Sequence, residues 1–316
     1  MKKVAISIGD LNGIGMQLAL ENHQAVSALV QPLYCIDKEM LLEASTQLGL
    51  TIPEDFQIIQ ETIAPPFTIK AGTITKESGY YAYASFVTAV TLARTQTVDA
   101  ICTLPIHKKA WELAGVTYKG HTDALRDFFH TEAIMMLGCP KMYVALFTEH
   151  IPLKEVPSHI NEEKLTRFFI DFYHTAHPTS TVAVLGLNPH AGDEGVLGTE
   201  ERIIQHAIVN ATHYLTKENP SIATSHTPLF TTPLVPDVAF TPHIRAHYTH
   251  YIAMYHDQGL APLKALYFEE GINVSLNLPI VRTSVDHGTA FDIAYQGVKL
   301  NHFSYLNAIK YIVAHT

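Results

Sequence analysis

Histidine is unusually frequent in this chain, with 19 among 316 residues. Three of these histidines directly follow short apolar runs: His150, His190 and His256. Because imidazole is the commonest protein ligand of transition metals, three such groups can hold a divalent cation and leave its other positions open to substrate. Their separations match no local metal motif, so ordinary loop histidines are the alternative. A catalytic metal site is therefore one of two interpretations.

Several segments have the composition of an anion site. Arg282 to Ala290 combines a cation, hydroxyls, an acid and a histidine in one turn, ahead of a predicted helical segment from Ala290 to Tyr295. A helix start binds phosphate or carboxylate through backbone N–H groups, and an arginine adds a bidentate contact. The alternative is that Asp286 and Thr289 only cap the helix.

Three further candidates for anion binding are less specific. Gly9 to Gly15 follows the first predicted strand and precedes a helix that begins near Met16, but its glycine spacing matches neither a dinucleotide nor a P-loop fingerprint. A tight strand-to-helix turn explains it equally well. Lys264 and the Gly120-His121-Thr122 segment can also serve an anion, although a single lysine is usually a solvated surface charge.

The composition excludes several classes of protein. The net charge is −9, with 21 Lys and Arg against 30 Asp and Glu and no basic block, so nucleic acid and anionic membranes are not expected partners. No apolar stretch approaches the roughly 20 residues of a membrane span, and we expect neither a span nor a signal peptide. The cysteines are odd in number and lack a C-x-x-C pair, which predicts buried thiols in a cytoplasmic protein: Cys35, Cys102 and Cys139.

Short apolar runs alternate with amphipathic helical patterns along the chain. Helices are predicted after Asn161 and from Thr199, and Thr199 is a candidate N-cap. This alternation predicts an α/β protein with a largely parallel sheet, whose ligands bind beyond the carboxyl ends of the strands. The predicted strands are Val4–Ile8, Leu33–Ile36, Val98–Leu104, Met142–Phe147, Val182–Leu187, Ile252–Tyr255 and Val274–Val281.

Four blocks of the chain are Gly120–Asp123, Leu187–Gly192, Tyr255–Leu260 and Arg282–Ala290. Together with Leu104–Lys108, they resemble the signature segments of the 4-hydroxythreonine-4-phosphate dehydrogenase family of vitamin B6 biosynthesis, over nearly the whole chain. The chain departs from the usual family pattern in the Gly9–Gln17 loop and at Asp123. Neither departure removes a proposed metal ligand.

The resemblance implies an architecture and an assembly. It implies two α/β/α domains similar to those of isocitrate and isopropylmalate dehydrogenases, with the active site in the interdomain cleft at the interface of a homodimer. By analogy, residues 1–120 and 286–316 form the first domain, and residues 121–285 form the second domain with the dimer interface.

The resemblance also implies the site residues and the chemistry. A divalent metal ion (Zn, Mg or Co) is held by His150, His190 and His256, drawn from both partners, and NAD or NADP accepts a hydride. The expected reaction oxidises 4-phosphooxy-L-threonine to 2-amino-3-oxo-4-phosphooxybutanoate, which decarboxylates to 3-amino-2-oxopropyl phosphate. Asp257 is expected to orient its neighbouring ligand or to relay a proton. Substrate contacts are expected from His121, Thr122, Lys264, Asn273 and Arg282.

Three alternatives to this activity are open. A related dehydrogenase of phosphorylated threonate or erythronate has nearly the same motifs. A phosphate acyltransferase shares the architecture but needs neither the histidine trio nor a nicotinamide. A non-catalytic metal-binding protein forms no NADH. No Rossmann fingerprint is present, so no residue is assigned to NAD or NADP binding.

Overall fold

The structure is a computed structural model that describes residues 1–223 and 227–316. Its strands are β1 (Lys3–Ser7), β2 (Gln31–Cys35), β3 (Ala100–Thr103), β4 (Ile134–Cys139), β5 (Met142–Leu146), β6 (Ala183–Val184), β7 (His250–Ala253), β8 (Ile272–Leu276) and β9 (Val281–Val285). Its α-helices are α1 (Gly15–Ser27), α2 (Lys38–Leu48), α3 (Lys76–Arg94), α4 (Lys108–Leu113), α5 (His121–Phe129), α6 (Val156–His159), α7 (Glu162–Ala176), α8 (Glu200–Glu218), α9 (Pro220–Ala223), α10 (Pro236–Ala239), α11 (Pro242–Arg245), α12 (His256–Tyr267) and α13 (Phe303–His315).

The chain divides into two compact units. The first consists of Met1–Thr131 and Glu269–Thr316, and the second of Glu132–Phe268. The sequence predicts boundaries at 120/121 and 285/286, which differ from these. The difference has a structural cause, because β9 pairs with β3 and β8 pairs with β9, so both strands belong to the first unit.

The first unit has the strand order β2-β1-β3-β9-β8. The pairs β1–β2, β1–β3 and β3–β9 are parallel, whereas β8 runs antiparallel to β9. Helices α3 and α13 pack against these strands. Trp111 and Phe86 are fully buried among apolar side chains from α3, α4, α5 and the strands, which gives this unit its own core.

The second unit has the strand order β4-β5-β7-β6. The pairs β5–β7 and β6–β7 are parallel, and β4–β5 is antiparallel. Helix α12 packs on these strands, and α7 packs on α8. The α/β class predicted from the alternation of strands and helices is confirmed, with antiparallel pairs at β4–β5 and β8–β9 as exceptions to the parallel pattern.

Both amphipathic helices predicted in the middle of the chain are present. In α7, Asn161 Oδ1 accepts a hydrogen bond from the Lys164 N–H at 3.1 Å and so caps the helix. In α8, the Thr199 side chain makes no cap bond, and the Thr199 N–H donates to the Glu200 carboxylate at 3.0 Å instead.

Two predicted elements are wrong. Val274–Val281 is not one strand, because Asn277 adopts a left-handed conformation (φ 58°) and the chain reverses there between β8 and β9. Ala290–Tyr295 forms turns rather than a helix. This segment is anchored elsewhere, since the Tyr295 hydroxyl donates to the Leu11 carbonyl at 2.7 Å and Ala290 has φ 43°.

All three cysteines are buried and none forms a disulfide, as expected: Cys35, Cys102 and Cys139. Among the described residues, the helices are too short or too polar to cross a bilayer.

Candidate functional site

The three candidate metal ligands lie beyond neighbouring parallel strands of the second unit. His150 follows β5, His256 begins α12 directly after β7, and His190 lies in a short 3-10 helix, Pro189–Gly195, after β6. Because β5, β7 and β6 run parallel in that order, their carboxyl ends share one edge of the sheet. The imidazole rings of His150 and His256 have centroids 5.5 Å apart.

His256 is oriented by the carboxylate beside it. Its Nδ1 lies 2.7 Å from Asp257 Oδ1, so Nε2 is the ring nitrogen available to a ligand. A histidine that donates one ring N–H to a carboxylate has a fixed tautomer and a more basic second nitrogen, which is the usual arrangement around protein-bound metals. Of the two roles expected for Asp257, this geometry supports orientation.

The segment that carries His190 is strained and tightly anchored. His190 to Glu194 all have positive φ, between 45° and 79°, although only Gly192 among them lacks a side chain. Such residues cost on the order of 1 kcal/mol each and persist only where surrounding groups hold them. Glu201 Oε1 accepts hydrogen bonds from the N–H groups of Leu187 and Asn188, at 2.9 and 2.7 Å.

These histidines do not form a complete metal centre in one chain. Within residues 1–223 and 227–316, no group of three or more His, Cys, Asp or Glu is arranged to hold a metal ion. The structure pairs His150 with His256 and places His190 at the same sheet edge. Imidazole nitrogens, with Asp257 behind one of them, are a donor set that suits a zinc-like cation.

The first unit contains a polar row on the buried face of three adjacent strands. Thr103 on β3, Arg282 on β9 and Ser275 on β8 share this face, because Ser275 is the register partner of Arg282 and Thr103 lies diagonally across. Arg282 Nη1 donates to Ser275 Oγ at 3.0 Å, and Nη2 donates to Thr103 Oγ1 at 2.7 Å. Arg282 therefore lies in a strand rather than in the turn expected from the sequence.

The Arg282 guanidinium carries a buried charge without a carboxylate partner. The residue is 2% exposed, both groups that accept its hydrogen bonds are neutral hydroxyls, and its Nε has no hydrogen-bond partner in the described structure. Burial lowers the pKa of Arg282 to about 10, which still leaves it charged at neutral pH. A buried cation with only neutral partners is an energetic cost that an anionic ligand would offset.

His121 and Thr122 begin α5 next to this arginine. Thr122 Oγ1 lies 3.5 Å from Ser275 Oγ. The His121 ring meets Phe86 and Trp111 at centroid distances of 4.8 and 5.4 Å, and its Nε2 is buried without a partner. Burial, and secondarily the charge of Arg282, lowers the pKa of His121 well below its usual value, so the ring is neutral at pH 7.

Asn273 and Lys264 occupy different units. Asn273 lies on β8 two residues before Ser275, and its buried Oδ1 has no hydrogen-bond partner. Lys264 lies on α12 in the second unit, where its Nζ is 6.0 Å from the centre of the Phe268 ring. The first unit thus brings together Arg282, Thr122 and His121, and the unsatisfied Asn273 oxygen lies on the same strand as Ser275.

The Gly9–Gly15 loop is a packed turn rather than an open anion site. The N–H of Gly13 donates to the Asp10 carbonyl at 2.9 Å, and the N–H of Ile14 donates to the Thr289 carbonyl at 3.1 Å. The Asp10 carboxylate is itself buried there, where it accepts bonds from the Asn12 N–H and the Ser78 hydroxyl. Burial raises its pKa to about 6.

Several residues around both sites are absent from the sequence-based set: Thr103, Ser275, Thr148, Glu201 and Gln258. A partial signal exists for Ser275, because it and Asn273 place polar side chains at alternate positions of an otherwise apolar strand. Thr103 accepts from the Arg282 side chain, whereas Thr148, Glu201 and Gln258 bond to backbone atoms elsewhere in the chain, and no local pattern reveals such partners.

Fold and sites define a mixed α/β protein with a buried arginine held by two neutral hydroxyls and with a histidine-lined sheet edge. A family model described as "Pyridoxal phosphate biosynthetic protein PdxA" matches residues 27–312. The chain belongs to the PdxA family.

The relatives and solved structures agree with this membership. A 4-hydroxythreonine-4-phosphate dehydrogenase of Sulfurimonas denitrificans is 57% identical, with 99% of this chain and 97% of the relative covered. One from Campylobacter fetus is 46% identical, with 99% and 98% covered. A crystal structure of the dehydrogenase from Burkholderia phymatum has a TM-score of 0.78 at 31% identity, with 99% and 98% covered.

Proposed function

We propose that this chain is a metal-dependent, NAD(P)-linked 4-hydroxythreonine-4-phosphate dehydrogenase. It would oxidise 4-phosphooxy-L-threonine to 2-amino-3-oxo-4-phosphooxybutanoate, which loses CO2 to give 3-amino-2-oxopropyl phosphate. Family membership and the names of the full-length relatives support the activity. The single structural observation that carries the substrate class is the unpaired, buried Arg282 guanidinium beside a neutral His121.

The anionic part of the substrate would bind at the Arg282 cluster. Arg282 Nε and His121 Nε2 are buried nitrogens without partners among the described residues. The arginine N–H, and the His121 N–H in the tautomer protonated at Nε2, would donate to a phosphate or carboxylate oxygen without breaking an existing bond. Thr103 and Ser275 hold the guanidinium plane through its other two nitrogens. Because these groups are already fixed, the ordering cost of binding is small, and the reacting carbon would be held in one position.

The hydroxyl that is oxidised would bind at the histidine-lined edge. His150, His190 and His256 are the residues proposed to hold a divalent cation (Zn, Mg or Co), and Asp257 keeps the His256 ring in one tautomer through the 2.7 Å contact. When bound, such a cation would stabilise negative charge on the substrate oxygen, and NAD or NADP would accept the hydride. Lys264 and Asn273 are proposed as further substrate contacts.

We propose that the protein is a cytoplasmic homodimer in which both copies contribute to each active site. The incomplete ligand set of the single chain supports this proposal, since a second copy would supply the missing donors. Sedimentation analysis is the direct measurement of the assembly.

The activity is tested by following absorbance of reduced nicotinamide with 4-phosphooxy-L-threonine and NAD+ or NADP+, with and without a chelator. His190→Ala should abolish turnover, whereas His213→Ala, an exposed histidine on α8, should leave it unchanged. Turnover with a phosphorylated threonate or erythronate but not with phosphothreonine would keep the chemistry and change the substrate. Activity that survives chelation and His190→Ala would refute the proposed metal chemistry.

A further inference from the structure

Lys108 is an exposed lysine that makes no hydrogen bond or ion pair with the residues that the structure describes. Its neighbour Lys109, by contrast, is paired with Glu112 at 2.8 Å, about one turn further along α4. Both lysines lie in the first turn of α4, where the helix dipole disfavours a positive charge. The stability of α4 therefore does not explain the charge of Lys108.

The side chain of Lys108 lies against Gly120, the N-cap residue of α5. Its Cε is 3.8 Å from the position that a Cβ atom on Gly120 would occupy. Apart from the chain neighbours of Gly120, no other heavy atom in residues 1–223 and 227–316 comes within 4 Å of that position. The lysine ammonium, which is bonded to Cε, therefore lies beside an open space at the N-terminus of α5.

The first turn of α5 has backbone donors without acceptors inside the helix. This helix is nine residues long, and its N-cap Gly120 has no side chain to accept a bond. Intrahelical bonding starts at the Ala124 N–H, which donates to the Gly120 carbonyl at 3.2 Å. The Asp123 carboxylate in this turn accepts instead from the Lys119 N–H at 3.0 Å. An anion at this end would accept from the free N–H groups and interact favourably with the helix dipole.

Two buried nitrogens adjoin the same helix start. His121 is 8% exposed and Arg282 is 2% exposed, and neither His121 Nε2 nor Arg282 Nε has a partner in the described part of the chain. Thr122 connects them, since its Oγ1 lies 3.5 Å from the Ser275 hydroxyl that accepts from Arg282. The start of α5 is thus approached by a buried guanidinium and by the exposed ammonium of Lys108.

We propose that Lys108 is a further substrate-binding residue, whose ammonium pairs with the phosphate group of the substrate at the start of α5. This inference rests on the proposed function, in which Arg282, Thr122 and His121 hold the anionic part of the substrate. A phosphate monoester carries about 1.5 to 2 negative charges at neutral pH, whereas a carboxylate carries a single charge. One guanidinium balances a carboxylate, so a second cation at the same place favours a phosphate.

The two cations would contribute differently to binding. The buried guanidinium is held by two hydroxyls, so it would fix the orientation of the phosphate. Lysine carries a point charge on a flexible stem, so Lys108 would follow the phosphate as it enters from the solvent. Lys108 would therefore add affinity for the dianion and leave the geometry of the reacting carbon to other residues.

The chain offers a matched control for the removal of this charge. Lys108→Met keeps an apolar stem of similar length and removes the ammonium, whereas Lys108→Arg keeps a cation. Lys109→Met removes the same charge from the same helical turn, but from a side chain that is paired with Glu112. Because Lys108 is exposed and lies at the positive end of α4, Lys108→Met should not lower the thermal midpoint.

The first experiment is a calorimetric titration of the full-length protein with inorganic phosphate at pH 7.5. It compares the native chain with Lys108→Met, Lys108→Arg, Lys109→Met and Arg282→Met. We expect Lys108→Met to bind phosphate about 10-fold more weakly, which is on the order of one charge-assisted hydrogen bond. Lys108→Arg and Lys109→Met should bind within about 2-fold of the native chain.

The second readout is turnover of 4-phosphooxy-L-threonine, which separates a binding role from a merely structural one. Lys108→Met should raise KM by about 10-fold and leave kcat nearly unchanged, because the phosphate group does not react. Lys108→Arg should restore KM. A loss of kcat with an unchanged KM in Lys108→Met would refute the binding role.

The phosphate titration distinguishes failure of this inference from failure of the proposed function. If Arg282→Met binds phosphate more weakly and Lys108→Met binds as the native chain does, the role of Lys108 is refuted and the anion site at Arg282 stands. If the native chain binds no phosphate, the proposed anion site fails and the inference fails with it. Weaker binding in Lys108→Met but not in Arg282→Met would contradict a shared site. An equal loss in Lys109→Met would show a general effect of surface charge and would also overturn the inference.

Discussion

Replacing Arg282 by methionine should separate ligand binding from stability. The guanidinium is fully buried, donates only to the hydroxyls of Ser275 and Thr103, and has no carboxylate partner in the described structure. The depression of its pKa from 12.5 to about 10 corresponds to about 3 kcal/mol of unfavourable burial of the charged form at neutral pH. Arg282→Met removes that cost.

The same substitution also removes two hydrogen bonds, each worth about 1 kcal/mol net. The gain and the losses nearly cancel, so the free energy of unfolding of Arg282→Met should lie within about 2 kcal/mol of the native value. By contrast, removing one partner of a buried ion pair costs about 3–5 kcal/mol. The size of the change in unfolding free energy therefore reports whether the guanidinium is paired with a carboxylate.

The assay is urea denaturation at pH 7.5 in the absence and presence of inorganic phosphate. Phosphate should raise the unfolding free energy of the native chain, by about 2.7 kcal/mol at a concentration 100 times its dissociation constant, and should not stabilise Arg282→Met. Arg167→Met, at an exposed arginine paired with Asp171 on α7, is the control that should keep the phosphate effect. A loss of 3–5 kcal/mol in Arg282→Met, or equal stabilisation of both proteins by phosphate, would refute the reasoning.

Three further predictions concern two buried titratable groups and the carboxylate that anchors the segment before His190. The folded-state pKa of Asp10, about 6, exceeds its unfolded value near 3.8, so the stability that Asp10 contributes is complete below pH 3.8 and is lost as the pH rises through 6. In urea denaturation, Asp10→Asn should therefore raise the free energy of unfolding by up to about 3 kcal/mol at pH 8 and by almost nothing at pH 4. An equal effect at both pH values would contradict this. Because the pKa of His121 is depressed in the folded state, the stability that this ring contributes is present above pH 6.5 and is lost as the pH falls below it. His121→Gln should therefore lose less thermal stability between pH 7.5 and pH 5 than the native chain does. An equal loss in both proteins would count against a buried neutral ring. Glu201→Ala should lower the free energy of unfolding by about 2 kcal/mol, because two backbone N–H groups lose their acceptor. Glu201→Gln keeps the accepting oxygen and should lower it by less than half as much. Equal losses in the two variants would show that these hydrogen bonds do not contribute to stability.

The sequence predicts the histidine-lined edge because apolar runs mark buried strands and parallel strands end at a common edge. His150, His190 and His256 follow three neighbouring strands, β5, β6 and β7, although they are far apart in the chain. Periodicity likewise predicts α7 and α8, whose apolar faces repeat at helical spacing.

The sequence fails where long-range contacts override local preference. Ala290–Tyr295 has a helical pattern, but bonds to the Gly9–Gly15 loop hold it in turns. The apolar run across Asn277 conceals a chain reversal, and so Arg282 is predicted in a turn instead of in β9. Gln258 donates to the carbonyl of Gly186, 72 residues away, a contact that no local spacing encodes.

The central claim is tested most directly by measuring CO2 and reduced nicotinamide from the same reaction with 4-phosphooxy-L-threonine labelled at its carboxyl carbon. The account predicts one CO2 and one reduced nicotinamide for each substrate consumed, with both products lost on chelation and in His190→Ala. Reduced nicotinamide without CO2 would contradict the oxidative decarboxylation. Formation of neither product, under conditions in which a relative such as the Sulfurimonas denitrificans dehydrogenase forms both, would contradict the proposed function as a whole.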